Sequence, residues 1–191
     1  MILPIVAYGT PVLREETEEI DENYPDLKLL IEDMWETMYA SKGVGLAAPQ
    51  IGKAIRLFIV DASGFNEDGD HPELENFKRV FINPIIIEET GKEWKFEEGC
   101  LSIPGIREDV SRKPTVTIEY YNEKFELIEE TIDGIAARVV QHEYDHIEGV
   151  LFTDKINPLR KRFIKGKLND IAKGNIQVNY RMKFPLVKAK H

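Results

Sequence analysis

Cysteine, long apolar runs and repeated segments are scarce or missing in this 191-residue chain, and each absence excludes a class of protein. The one cysteine, Cys100, excludes an internal disulfide and favours a reducing, cytoplasmic compartment. No apolar run approaches the roughly 18 residues of a membrane helix, so we expect no membrane partner. Thirteen Gly and ten Pro without a repeat exclude collagen-like and low-complexity chains.

The chain is 42% hydrophobic, which is too apolar for a disordered protein, and its length suits one domain with a sizeable core. Its net charge of −9 is distributed unevenly. The last 37 residues hold 11 of the 25 Lys and Arg and one of the 34 Asp and Glu, which gives them +10 and the first 154 residues −19. The acidic body is therefore not expected to bind nucleic acid specifically.

Apolar periodicity predicts helices near both ends of the chain and strands between them. A helical stripe predicts a first helix over Tyr24–Ala40, in which Pro25 suits a first helical position, and a second helix begins near Thr131 or Asp133. β-Branched and aromatic runs predict three strands, at Ile55–Val60, Val80–Ile87 and Thr115–Tyr121. Pro84 predicts an edge or a bulge, and the acidic segment Asp61–Lys78 an exposed loop. This order indicates an α+β fold.

The second helix contains the sequence QHEYDH, an H-E-x-x-H motif. Residues i and i+4 share one helical face, so His142 and His146 can present two imidazoles to one metal ion. Glu143 is then placed to act on a water at that ion. The alternative is a pair of buried, hydrogen-bonded histidines or a solvated polar face.

A catalytic metal site needs a third protein ligand, and Cys100 is the best candidate. His71 lies in the acidic loop and His191 is the last residue, and neither is well placed. A lone cysteine is more often a small buried apolar residue, but beside a two-histidine motif that lacks a third ligand a metal thiolate is favoured.

Together with the segment GVGLAAPQ (Gly43–Gln50), the sequences EGCLS (Glu98–Ser102) and QHEYDH (Gln141–His146) resemble the three signatures of the peptide deformylases, in order and at compatible separations. The resemblance covers roughly residues 4–160. It implies a catalytic domain over residues 1–160 and leaves a basic C-terminal extension over 161–191. It also implies sheets of short antiparallel or mixed strands around a central metal-binding helix, with an N-terminal helix and a C-terminal basic segment.

The resemblance implies a reaction and a role for each matched residue. The family removes the formyl group from the N-terminal N-formylmethionine of new proteins. Cys100, His142 and His146 would hold one divalent metal ion, Fe²⁺ or Zn²⁺, which nickel or cobalt can replace. Glu143 would be the general acid and base, while the Gln50 amide and the Leu101 N–H would stabilise the oxyanion.

The resemblance also suggests how the substrate is held. Gly45 would hydrogen-bond to the substrate peptide, and Val44, Ile135 and Val139 would line an apolar methionine pocket. Arg138 is an unusual charge on that face, and it would either contact substrate or extend to the pocket rim. Asp145, Glu98 and Glu97 are candidates to accept a hydrogen bond from a ligating histidine, unless each is a solvated surface acid.

Two other functions remain open at this stage. An endopeptidase would explain H-E-x-x-H alone, and a non-catalytic protein would fill all four metal positions with protein. The basic segment Lys155–Lys173 predicts a helix after Pro158 with Ile164, Leu168 and Ile171 on its apolar side. It would dock the protein transiently on the ribosome, as in some family members, or pack on the acidic body.

Overall fold

The computed structural model describes residues 1–187 and contains, within that range, three α-helices and nine β-strands. The helices are α1 (Leu27–Ala40), α2 (Gly134–Ile147) and α3 (Pro158–Ala172). The strands are β1 (Ile5–Val6), β2 (Gly45–Ala47), β3 (Leu57–Asp61), β4 (Lys78–Thr90), β5 (Trp94–Cys100), β6 (Ile103–Arg112), β7 (Thr115–Tyr121), β8 (Leu127–Asp133) and β9 (Met182–Lys183). The predicted α+β class is confirmed.

The strands form three sheets around one central helix. A five-stranded antiparallel sheet has the order β2-β3-β4-β7-β8, β5 and β6 form an antiparallel hairpin, and β1 pairs with β9 in parallel. Helix α2 packs against β2, β3 and β8, and ten of its fourteen residues are buried. A helix that is buried on most of its surface needs apolar side chains there, or polar side chains that have hydrogen-bond or charge partners. Helix α2 has buried residues of both kinds.

Helix α1 begins three residues later than predicted, because Asp26 has a left-handed backbone with φ of +55° and cannot join a right-handed helix. Pro25 therefore precedes the helix instead of opening it. The predicted stripe does face the core, where Met34 and Met38 are fully buried beside Leu46 and Ile59.

The three predicted strands are present, and two of them have shifted ends. β7 matches its prediction, β3 begins two residues later, and β4 is longer at both ends. The register of β4 against β7 shifts between Ile82 and Ile85, so Pro84 lies at a bulge, as expected for a residue without an N–H. The segment Asp61–Lys78 is less exposed than predicted: its two end residues belong to β3 and β4, and the loop between them forms two short 3₁₀ turns and buries Leu74 and Phe77 in the core.

The C-terminal extension packs on the body. Ile164, Leu168 and Ile171 of α3 are buried, as predicted, and strand β9 returns to pair with β1. Helix α3 crosses the proposed boundary at residue 160, and that division stays a prediction. Residues 188–191, which include His191, lie outside the described residues. Within residues 1–187, no helix is long and apolar enough to cross a membrane.

Candidate metal centre and active site

Helix α2 and the β5–β6 hairpin bring together the three residues predicted as metal ligands. His142 and His146 lie one turn apart with ring centroids 5.1 Å from each other. The hairpin places Cys100 Sγ 3.2 Å from His146 Nε2. One donor atom from each of the three residues lies within 4.8 Å of the other two. Cys100 precedes His142 by 42 residues in the sequence, and the fold brings the three side chains together at one point.

The donor set fits a borderline metal ion such as zinc or ferrous iron, because it combines one thiolate with two imidazoles. Among residues 1–187, no further His, Cys, Asp or Glu joins this group. His71 is not part of this group; it lies in the loop between β3 and β4, with its Nδ1 atom 3.3 Å from Glu73 Oε1. An ion with four ligands that was held by these three residues would keep one position for water or substrate, which is typical of catalytic and not of structural zinc sites.

Glu98 fixes the orientation of His142. The Nδ1 atom of His142 lies 2.9 Å from Glu98 Oε1, so the ring donates there and its Nε2 is left to face the cluster. Arg112 donates to both oxygens of the same carboxylate at 2.7 and 2.9 Å, and Arg138 donates at 2.9 Å. Burial raises the pKa of Glu98, but the bonds from His142 and Arg112 hold it well below its usual range.

The other two candidate acids have different partners. Asp145 accepts from Arg112 at 2.8 Å and lies 3.5 Å from Lys155, so it belongs to the same buried charge network one step further from the cluster. Glu97 is exposed and pairs with Arg107. Of the three candidates, Glu98 alone hydrogen-bonds to a histidine of the H-E-x-x-H motif within the described chain.

Glu143 is 4% exposed and lies against the backbone of Gly45. A Cβ atom placed on Gly45 would stand 2.5 Å from Glu143 Oε1, which shows that only glycine leaves room for this carboxylate. Its Oε2 atom is buried without a protein hydrogen-bond partner in the part of the chain described. Burial raises the pKa of Glu143 to about 7, so the group can exchange a proton near neutral pH.

Gln50 is held so that its amide nitrogen faces the cluster. Its Oε1 accepts the Ala47 N–H at 2.9 Å, which sets the direction of the amide group. Its Nε2 then lies 3.4 Å from Cys100 Sγ and 3.3 Å from Ser102 Oγ. Leu101 occupies the tight turn between β5 and β6, beside Cys100. Both predicted oxyanion donors therefore adjoin the thiol.

A cavity of about 610 Å³ opens over this centre, and Gly45, Val44 and Val139 are among its lining residues. Ile135 packs instead against the core between α2 and the main sheet. Arg138 reaches the cavity but is 2% exposed, so it does not extend to the rim. Its guanidinium donates to Glu98 and to the Val110 and Trp94 carbonyls.

Three contributors to the site escaped the sequence analysis: Arg112, Ser102 and Tyr180. Arg112 has a weak signal, because it lies at an inward position of β6, where a charge must find a buried partner. Ser102 lies inside the EGCLS segment but carries no distinctive chemistry of its own. Tyr180 has no local signal, since it reaches the cavity from the C-terminal extension.

Comparisons with known proteins agree on one family. A family model described as polypeptide deformylase matches residues 2–162. The chain is 57% identical to a peptide deformylase of Christiangramia forsetii and 58% identical to one of Flavobacterium johnsoniae, over 98% of both chains in each case. Among solved structures, a peptide deformylase from Thermotoga maritima matches with a TM-score of 0.73 and 40% identity, over 83% of this chain and 99% of that one.

Proposed function

This chain belongs to the polypeptide deformylase family, and from that premise we propose that it hydrolyses the formyl group from the N-terminal N-formylmethionine of newly made proteins. The chemistry is hydrolysis of a linear amide. Water adds to the formyl carbon, the carbon–nitrogen bond breaks, and formate and a free amine leave. The convergence of Cys100, His142 and His146 beside the buried Glu143 carries the proposal.

We assign the three convergent side chains to one divalent metal ion, Fe²⁺ or Zn²⁺, with nickel or cobalt as substitutes. When bound, such an ion supplies a Lewis acid that lowers the pKa of water toward neutrality. Glu98 supports the assignment because it holds the His142 ring with Nε2 free for the ion. Arg112 in turn holds Glu98 through two hydrogen bonds.

Glu143 is the proposed general acid and base. Its carboxylate takes a proton from the attacking water and later gives a proton to the leaving amine nitrogen. A raised pKa of about 7 suits both steps, since the group must release and accept a proton within one turnover. The close approach to Gly45 limits movement of the carboxylate toward β2.

Gln50 and Leu101 are the proposed oxyanion donors. As the formyl carbon becomes tetrahedral, negative charge develops on its oxygen, and the Gln50 Nε2–H and Leu101 N–H groups donate to it. Gln50 meets the requirement for preorganisation because Ala47 fixes its amide. Losing one such donor typically costs about 10²–10³ in rate.

The methionine side chain would occupy the cavity beside Val44 and Val139, with Gly45 donating and accepting backbone hydrogen bonds to the substrate peptide. Ile135 would support this wall from behind Val139, one helical turn away. Arg138 lines the same cavity, so contact with the substrate remains part of the proposal.

The decisive experiment is turnover of a formyl-methionyl tripeptide by protein purified without oxygen, with bound metal quantified. The unformylated tripeptide is assayed beside it. We expect formate release, about one metal ion per chain, and no cleavage of the unformylated peptide. Cleavage of internal bonds in the unformylated peptide alone would establish an endopeptidase and refute the proposal.

We further propose that the protein works in the cytoplasm and docks transiently on the ribosome through α3. The outward face of this helix is basic and apolar: Leu159 and Phe163 are 58% and 66% exposed, and Lys161, Arg162 and Lys165 are exposed. Arg160 of the same helix pairs instead with Glu108 of the body. Basic side chains favour a polyphosphate surface, and that attraction weakens with salt.

Reversal of charge on Lys161, Arg162 and Lys165 tests docking without disturbing the buried face of α3. We expect salt-sensitive co-sedimentation with ribosomes by the wild-type chain and its loss in this triple Glu variant. The matched control reverses three exposed lysines elsewhere (Lys28, Lys53 and Lys124). Equal sedimentation of both variants and the wild type would contradict docking through α3.

A further inference from the structure

The turn that carries Leu101 is held by hydrogen bonds from both ends of the chain. The Tyr180 hydroxyl donates to the Leu101 carbonyl at 2.7 Å. The Tyr8 N–H donates to the Ser102 carbonyl at 2.8 Å. Two adjacent carbonyls of one tight turn are thus fixed by residues that lie 172 positions apart in sequence.

The parallel β1–β9 pair brings these two tyrosines to the turn. Ile5 pairs with Met182 and Val6 with Lys183, which places Tyr8 two residues after β1 and Tyr180 two residues before β9. Hydrogen bonds at 2.9 Å from Ile5 N–H to the Arg181 carbonyl and at 2.8 Å from Ala7 N–H to the Lys183 carbonyl hold the pair together. The extension therefore reaches the site as an ordered strand.

The far side of the extension is also anchored. The Leu186 N–H donates to the Ala172 carbonyl at the end of α3. Gly174 packs against Phe184, with φ of +73°, so the chain reverses direction directly after the helix. The segment between α3 and β9 therefore lies against the body, and Tyr180 is half-buried at the cavity wall.

We propose that Tyr180 is a positioning residue for deformylation, which holds the Leu101 turn so that the Leu101 N–H points at the developing oxyanion. This inference rests on the proposed function. Tyr180 acts through Leu101 and not on the reacting atoms. The C-terminal extension, by this reasoning, is part of the active site.

The hydrogen bond from Tyr180 limits the motion of the turn that carries Leu101. Leu101 follows a register irregularity, where Gly99 pairs with Arg107 but Cys100 with Ile103, so the regular ladder does not fix this peptide. The Leu101 carbonyl lies only three backbone bonds from the Leu101 N–H. An anchor on that carbonyl therefore limits rotation of the donor, and a displacement of about 1 Å at such a site costs on the order of 10² in rate.

Removal of one hydroxyl tests the proposal. Tyr180→Phe keeps the ring and deletes the bond to Leu101. Tyr120→Phe is the matched control, because its hydroxyl also donates one bond, at 2.8 Å to Glu130, but within the main sheet. We expect Tyr180→Phe to lower kcat about tenfold with KM within twofold, since the oxyanion exists only in the transition state. Tyr120→Phe should leave both constants near wild type.

Amide hydrogen exchange supplies a readout that is independent of turnover. Peptides covering residues 99–104 should exchange faster in Tyr180→Phe than in the wild type or Tyr120→Phe, at equal global stability. Unchanged kcat in Tyr180→Phe while the wild type deformylates would overturn the inference and leave the proposed function intact. If the wild type fails to release formate, the proposed function is refuted, and unchanged exchange over residues 99–104 would then overturn the positioning of the turn as well.

Discussion

Gly45→Ala offers a direct measure of how closely the general base is held. The new Cβ atom would stand 2.5 Å from Glu143 Oε1 and 2.7 Å from its Cγ, whereas ordinary contact begins near 3.4 Å. The Glu143 carboxylate must therefore move away from residue 45 by about 1 Å, although the helix that carries it is buried on most sides. A misplacement of about 1 Å costs on the order of 10² in rate, or about 2.7 kcal/mol of transition-state stabilisation.

The assay is formate release from a formyl-methionyl tripeptide, with metal content and melting temperature measured on the same preparations. We expect kcat to fall about 10²-fold while the metal is retained, because Gly45→Ala touches no ligand. Gly64→Ala is the control, since a Cβ there meets no atom within 4 Å and the backbone is not left-handed. It should match the wild type in rate.

A double-mutant cycle separates displacement of the base from damage to substrate binding. If Gly45→Ala acts through Glu143, it should cause little further loss in a Glu143→Gln background, because the base is already absent. Losses that multiply fully in the double variant would place the effect on substrate binding instead. A kcat within threefold of wild type in the single Gly45→Ala variant would refute the idea that close contact with residue 45 sets the position of Glu143.

Three further predictions concern the metal, the base and the buried charges. Cys100→Ala should bind less metal by elemental analysis, and full retention would remove Cys100 from the ligand set. Glu143→Ala should keep the metal but lose about 10²–10⁴ in kcat, and a near wild-type rate would contradict its role. Arg112→Met should lower the free energy of unfolding in urea by about 3 kcal/mol, because Glu98 loses a buried partner. Arg107→Met, which breaks an exposed ion pair, should cost less than about 1 kcal/mol, and equal losses in both would contradict the difference in burial.

Local sequence was sufficient where a single element carries the information. The spacing of His142 and His146 depends only on helical geometry, so the pair and the intervening Glu143 follow from the motif once the helix is recognised. The apolar side of α3 follows from the same periodicity. The start of α1 does not, because the left-handed backbone at Asp26 overrides the preference of Pro25 for a first helical position.

Cys100 shows how far reasoning from the sequence extends across elements. The need for a third ligand pointed to it, but its approach to His146 depends on the β5–β6 hairpin, which the sequence analysis did not predict. The choice of Glu98 over Glu97 and Asp145 likewise depends on which side of that hairpin faces α2. Alternation along a strand separates neighbouring residues onto opposite faces but does not say which face is inward.

The sequence by itself indicated the family through the resemblance of three segments to known signatures. It indicated the α+β class, the helical H-E-x-x-H motif and the acidic body with its basic C-terminal segment through local spacing and composition. Only the tertiary structure decided that Arg112 supports Glu98 and that Tyr180 reaches Leu101. Those contacts join residues 14 and 79 positions apart through sheet register and strand pairing. Strand register is set by the packing of the whole chain, so no local sequence pattern predicts it.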